Sequence, residues 1–246
     1  MSLFETEALI LRTYNLAEAD KIVVCLSRSS GLIRGVAKNC RKLKNRFGAS
    51  LEPFTLINLV YFEKENQELV SFSQTEILRS RFNLSSDATL LSGFSYMGDL
   101  LLDFSPPRQA NDNLYRMALA CFEAVSQSPP DLEWVLRYFE VWLLKLEGFL
   151  PDLRRCGNCD NALDDEEVLY LGSDLTLRCS SCRGGRVIAK AVHQQLRASE
   201  KLSPARFAEA AREVPTATRK ELAQLTYQLI SRVLERMPRA RPTFAQ

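Results

Sequence analysis

Four cysteines constrain this chain more than any other feature. Cys156-Gly-Asn-Cys159 and Cys179-Ser-Ser-Cys182 form two Cys-x-x-Cys pairs with 19 residues between them. Two residues between thiols let both reach one ion from a tight turn, and the interval falls in the range of zinc ribbons. That interval reads as a β-hairpin: Val168-Leu-Tyr-Leu171, the turn Gly172-Ser173-Asp174, then Leu175-Thr-Leu-Arg178. Four thiolates close a tetrahedron and leave no position for water. The expectation is one structural Zn2+ on Cys156, Cys159, Cys179 and Cys182. The competing assignment is four free or disulfide-bonded cysteines. Cys25 and Cys121 lie in apolar patterns and read as core thiols. Cys40, like them, has no Cys-x-x-Cys partner.

The length of 246 residues allows one large domain or two to three small ones. With 46% apolar and 25% charged residues the chain has the balance of a globular protein. No apolar run approaches a membrane span. The start, Met1-Ser2-Leu3-Phe4-Glu5, lacks the basic and apolar regions of a signal peptide, so the expected compartment is the cytosol. Cytosol is reducing, which favours metal ligation or free thiols over disulfides. His193 is the only histidine, which removes most histidine-dependent catalysis. It reads as a helix-surface or core residue. There is no Gly-rich loop ending in Gly-Lys-Ser/Thr, so ATP hydrolysis is not expected.

Along the chain two periods alternate. Glu7–Tyr14, Lys21–Arg28, Leu32–Ala37, Thr55–Glu63 and Leu69–Leu78 are short runs rich in β-branched and aromatic residues, bounded by turn signals such as Ser29-Ser30-Gly31. Five strands with one long connection suit a closed Greek-key barrel of the OB type, and the pattern also admits a small antiparallel sandwich. From about Ser85 the spacing turns helical. Leu90–Phe104 is apolar nearly all round. Leu114, Met117, Ala118, Cys121, Phe122 and Val125 form one stripe, and Leu132, Val135, Leu136, Phe139, Trp142, Leu143 and Leu146 another. A last helix is expected over Arg219–Met237, with Thr218 and Glu221 as a capping box. The fold class is therefore α+β: a barrel over 1–80, then a bundle-like helical domain over 81–246 carrying the ribbon at about 152–186.

The net charge of +2 is small, so any case for nucleic acid rests on placement. Between Lys21 and Leu51 the chain carries Lys21, Arg28, Arg34, Lys38, Arg41, Lys42, Lys44 and Arg46 and no acidic residue. Five of these cations crowd into Lys38–Arg46, on the loop after the third strand. Cations clustered beside a barrel face are the footprint of a phosphate-binding groove. The candidate DNA contacts are Arg34, Lys38, Arg41, Lys42, Lys44 and Arg46. OB barrels add aromatic rings that stack on bases, for which Tyr14, Phe47 and Tyr61 are candidates. The bland alternatives are a solvated loop and three core rings. The ribbon carries the acidic run Asp164-Asp165-Glu166-Glu167, and an all-thiolate zinc centre adds negative charge, so it reads as a folding staple and a candidate protein contact.

These parts together resemble the bacterial RecO family of DNA repair proteins. The matching stretches are Glu18-Ala-Asp20, Gly31-Leu-Ile33, Val36-Ala-Lys38 with Arg41-Lys42, and Leu51-Glu-Pro53-Phe54. The most specific is Glu147-Gly148-Phe-Leu-Pro151-Asp-Leu-Arg-Arg-Cys156-Gly-Asn-Cys159, which ties a helix end to the first knuckle. The likeness spans the chain and weakens from about Ser199. The family often has Gly where this chain has Asn39, and Asn tolerates the left-handed backbone better than most residues. The resemblance implies an OB-fold N-terminal domain, binding of single- and double-stranded DNA, and annealing of complementary strands. It also implies work beside RecR, contact with the C-terminal tail of the single-stranded DNA-binding protein, and help in loading RecA onto DNA. It implies no enzymatic activity and no membrane partner. The residues alone leave rivals open: an RNA-binding OB protein with a structural ribbon, a nucleic-acid-modifying enzyme, and a scaffold whose basic loop docks an acidic tail.

Overall fold

The computed structural model describes residues 2–65, 67–82, 86–238 and 242. By compactness the chain divides inside one helix, into residues up to Leu119 and a second unit, Ala120–Pro238.

The first unit is built on a closed five-stranded barrel: β1 (Ser2–Leu16), β2 (Asp20–Ser27), β3 (Gly31–Ala37), β4 (Leu56–Glu63) and β5 (Val70–Arg79), in the order β1-β2-β3-β5-β4. This is the OB arrangement, and the sandwich alternative falls. The closure depends on the length of β1. Its first half pairs with β4, from Ser2 opposite Glu63 to Leu9 opposite Leu56, and its second half with β2, from Ala8 opposite Ser27 to Leu16 opposite Asp20. A bulge between Ile10 and Arg12 supplies the bend. The parallel pair of β3 and β5 closes the other side. Gly31 sits at φ +65°, and a Cβ there would collide with the Gln109 carbonyl, so only glycine fits the turn into β3. The interior is filled by Ala8, Ile10, Val23, Cys25, Ile33, Ile57, Leu59, Tyr61, Val70 and Phe72, with Phe47 and Leu51 from the long loop.

Helix α1 (Ala88–Phe104) belongs to this unit and packs against β1, whereas the sequence pattern groups it with the later helices. Asp87 caps it by accepting from the Thr89 and Leu90 N–H groups. Its buried face is Leu90, Phe94, Met97, Leu100, Leu101 and Phe104, and the Arg12–Asp99 ion pair fixes its edge on the barrel. Helix α2 (Asp112–Gln127) buries the expected stripe, including Cys121.

In the second unit α3 (Leu132–Leu146) is the central element. The later chain gives β6 (Val168–Leu171), β7 (Leu177–Arg178), β8 (Arg186–Ala189), α4 (Lys190–Lys201), α5 (Pro204–Ala211) and α6 (Thr216–Val233). Helices α4, α5 and α6 all pack on α3. The Trp142 indole N–H donates to the Ser199 carbonyl at 2.8 Å, and the Tyr138 hydroxyl donates to the Leu202 carbonyl at 3.1 Å. Arg137 and Glu140 form a fully buried ion pair at 2.9 Å, and Glu140 also accepts from the Thr226 hydroxyl of α6 at 2.5 Å. The expected capping box is absent. Helix α6 begins at Thr216, so Thr218 lies within it, and the Glu221 carboxylate accepts instead from the Ala189 N–H at 3.1 Å.

Candidate nucleic-acid interface and metal centre

The loop from Lys38 to Phe47 begins at the end of β3 and is fastened to the barrel. Asp20 accepts the Asn39 N–H at 2.7 Å, and Asn39 takes φ +58°, the left-handed backbone expected of it. Arg41 bonds back to the β1–β2 turn, its N–H to the Ala19 carbonyl at 3.0 Å and its guanidinium to the Ala17 carbonyl at 3.2 Å. The Asn45 side chain accepts from the Phe47 and Gly48 N–H groups and donates to the Lys42 carbonyl. Arg46 donates to the Phe72 carbonyl of β5 at 3.2 Å and lies 5.0 Å from the centre of the Phe47 ring, which is itself buried. The loop is thus a built feature of the barrel.

Six cations were expected to act together here, and the structure sorts them. Arg41 and Arg46 have bonds that shape the loop. Lys38, Lys42 and Lys44 are exposed on it, and Arg34 is exposed on β3. Among the described residues none of the six has a carboxylate within ion-pairing distance. By contrast Arg28, just outside the group, is held by Asp112 at 2.9 Å and Glu7 at 3.6 Å. Unpaired cations raise the local potential, which is what a polyanion needs.

The three candidate aromatics also separate. Phe47 and Tyr61 are core side chains, and the Tyr61 hydroxyl meets the Ser30 hydroxyl at 3.1 Å. Tyr14 points away from the core and is half exposed.

In the second unit the four cysteine sulfurs of Cys156, Cys159, Cys179 and Cys182 all lie within 4.8 Å of one another. A tetrahedral zinc–thiolate centre with bonds of ~2.3 Å has sulfur–sulfur edges of ~3.8 Å. The observed spacing, with Cys159 and Cys179 at 3.6 Å, fits that ion. The first knuckle is a tight turn in which the Asp160 N–H donates to the Cys156 carbonyl and the Gly157 N–H to the Leu177 carbonyl. A Cβ on Gly157 would run into Thr176, which explains the glycine.

Cys156 and Cys159 shift in opposite directions: the Asn161 N–H favours the Cys159 thiolate, but the neighbouring sulfurs push that thiol up to about 12. Burial works against ionising Cys156, but the N–H groups of Cys159, Cys179 and Asn158 outweigh it and bring the thiol down to about 6. The Asn158 side-chain amide donates to the Cys182 sulfur at 3.3 Å. Sequence reading missed this donor, although an Asn inside a Cys-x-x-Cys turn is a signal for it. Cys25 and Cys121 are fully buried, as core thiols should be.

The hairpin forms with a third strand, β8, giving the order β7-β6-β8. Gly184-Gly185 before Arg186-Val-Ile-Ala189 was the available signal for it. The acidic run is largely spent within the unit. Asp164 pairs with Arg197 at 3.5 Å, Glu167 with Lys190 at 2.5 Å, and Glu166 accepts the Ser180 N–H at 3.1 Å in the second knuckle. His193 is buried in α4 and its Nε2 lies 2.6 Å from the Leu153 carbonyl, just ahead of the first knuckle. It is a core residue that fastens the ribbon.

Comparison with known proteins agrees with this geometry. The family model described as Recombination protein O N terminal matches residues 1–81, and that described as Recombination protein O C terminal matches residues 85–242. The chain is 37% identical to the DNA repair protein RecO of Koribacter versatilis (strain Ellin345), over 68% of this chain and 67% of that protein. It is 31% identical to the DNA repair protein RecO of Dehalococcoides mccartyi (strain ATCC BAA-2266 / KCTC 15142 / 195), over 73% and 70% respectively. It is 27% identical to that of Thermoanaerobacter sp. (strain X514), over 79% and 77%.

Proposed function

The chain belongs to the RecO family, and on that premise we propose that it works in DNA repair by binding single- and double-stranded DNA through the loop Lys38–Arg46, annealing complementary strands, and helping to load RecA together with RecR. The observation that carries this reading is the group Arg34, Lys38, Lys42 and Lys44, exposed on or beside a fastened loop with no acidic partner among the described residues. Annealing needs no bond chemistry. Two strands repel through their phosphates, and a surface that neutralises both holds them at high local concentration. The protein acts in this reading as a binding protein of the cytosol, not as an enzyme. The tail of the single-stranded DNA-binding protein is the further partner that family membership suggests.

The ribbon holds one Zn2+ through Cys156, Cys159, Cys179 and Cys182. The ion supplies cross-linking, and the chain's own residues supply the thiolates and the N–H donors that favour them.

The test is a DNA-binding titration of Lys42→Glu/Lys44→Glu across a range of salt. For a single strand each phosphate contact contributes ~0.7 to the slope of log K against log salt, so losing two lowers the slope by at least about 1.4. An unchanged slope removes the loop from the interface. Competition with RNA of matched sequence separates this reading from an RNA-binding one.

A further inference from the structure

One face of the barrel wall is half covered and half open, and the division is informative. Directly paired residues share a face. Ile10, Cys25 and Ile33 point inward, so their neighbours on β1, β2 and β3 point out. At one end the outward residues Leu9, Leu26 and Leu32 are buried. There α1 packs on β1, and the chain at Pro107 bridges to Leu32. The rung Arg12–Val24–Arg34 marks the edge of the cover: Arg12 pairs with Asp99 of α1, Val24 is buried, and Arg34 is exposed.

The next rung, Tyr14–Ile22–Val36, has no such cover among the described residues. Tyr14 is 48% exposed, and Ile22 and Val36 are half-buried. Lys38 follows Val36 by two residues, and the Arg41 bonds to Ala17 and Ala19 hold the basic loop at this same end of the strands. An exposed ring on an apolar rung, with Arg34 on one side and the unpaired lysines of the loop beyond, matches the chemistry of an unpaired base on its phosphate backbone.

We propose that Tyr14 is a base-stacking platform, and that the rung Tyr14–Ile22–Val36 is where this protein takes up unpaired nucleotides of single-stranded DNA. This rests on the reading of the loop as its phosphate-binding element. Phosphate contacts serve both strand states, but stacking is open only to a base that has left its pair. The platform gives preference for single strands, and the loop gives affinity for both.

The experiment is a double-mutant cycle between side chain and base. Tyr14→Ala, Tyr14→Leu and Tyr14→Trp are compared with the unaltered protein on oligo(dT), on the same strand carrying abasic sites, and on duplex. Tyr14→Ala and Tyr14→Leu lower affinity for oligo(dT) by about five- to 160-fold, the range found for single stacking rings. They leave duplex binding and the salt slope in place, and Tyr14→Trp restores the loss. Removing the bases lowers the affinity of the unaltered protein but not of Tyr14→Ala, and that coupling does not arise from misfolding. Equal losses on oligo(dT) and duplex, or no coupling to the bases, overturn the platform. If Lys42→Glu/Lys44→Glu still weakens binding in that case, the loop reading stands alone; if it does not, the loop reading falls on its own evidence.

Discussion

Arg46 and Lys44 lie two residues apart and carry the same charge, but they do different jobs. Arg46 closes the loop onto β5 through the Phe72 carbonyl, while Lys44 makes no such bond. Arg46→Gln therefore lowers both DNA affinity and barrel stability, the latter by about 1 kcal/mol for the lost hydrogen bond. Lys44→Gln lowers affinity alone, and thermal melts beside binding titrations check the contrast. Charge counting along the sequence finds both residues but cannot rank them, because the ranking depends on a carbonyl 26 positions away. The pair Asp131–Arg212 carries a pH dependence that is likewise invisible in sequence. The Arg212 guanidinium donates to both carboxylate oxygens of Asp131, at 3.0 and 2.7 Å, and these bonds hold Asp131 below the usual aspartate range against the opposing effect of burial. The folded value is the lower one, so the stabilisation is full above the unfolded value of about 3.9 and is lost as pH falls through the folded value. Arg212→Gln should melt below the unaltered protein at neutral pH, and the gap should shrink below about pH 4. A gap constant with pH would mean that Arg212 stabilises by packing alone.

At the level of elements, legibility followed the strength of the local pattern. The barrel strands and α3 were readable because alternation and helical stripes there are strong, and the two knuckles because ligand spacing is a geometric requirement. Helices α4 and α5 escaped because their buried faces are poor in large apolar residues. In α4 these are Val192, His193, Leu196 and Ser199, and a satisfied histidine and serine do not look apolar in sequence. The capping box failed for a related reason: Glu221 is recruited by the β8–α4 junction. That junction shows how closely the ribbon is tied to the helices. Arg186 donates to Gln228 at 2.9 Å and Gln224 at 3.3 Å, and Arg232 donates to the Ser173 carbonyl at 2.6 Å. A metal cross-link between the two knuckles would hold the β6–β7 hairpin between them, together with the turn at Ser173 that Arg232 grips. Cys182→Ser, or chelation, should therefore lower the melting transition of the helical unit by several kcal/mol in stability, since metal-binding energy in such sites is folding energy. Calorimetry with measured zinc content checks this, and a melt indifferent to zinc would reduce the site to ornament.

Over the whole molecule a net charge of +2 conceals a division of labour. The exposed cations of the basic loop lie in the unit of the barrel, while the acidic run Asp164–Glu167 and the four cysteines lie in Ala120–Pro238, where Asp164 and Glu167 are ion-paired. On the proposed reading, attraction for DNA depends on the basic loop, which contains none of the four clustered cysteines. The expectation is that stripping the metal leaves the affinity for DNA and the salt slope close to those of the loaded protein, so long as the barrel remains folded. Fluorescence anisotropy of a labelled single strand, before and after chelation and at several salt concentrations, reads both quantities. A fall in slope by about 0.7 or more on chelation would show that at least one phosphate contact depends on the ribbon. The phosphate-binding surface would then have to include the second unit.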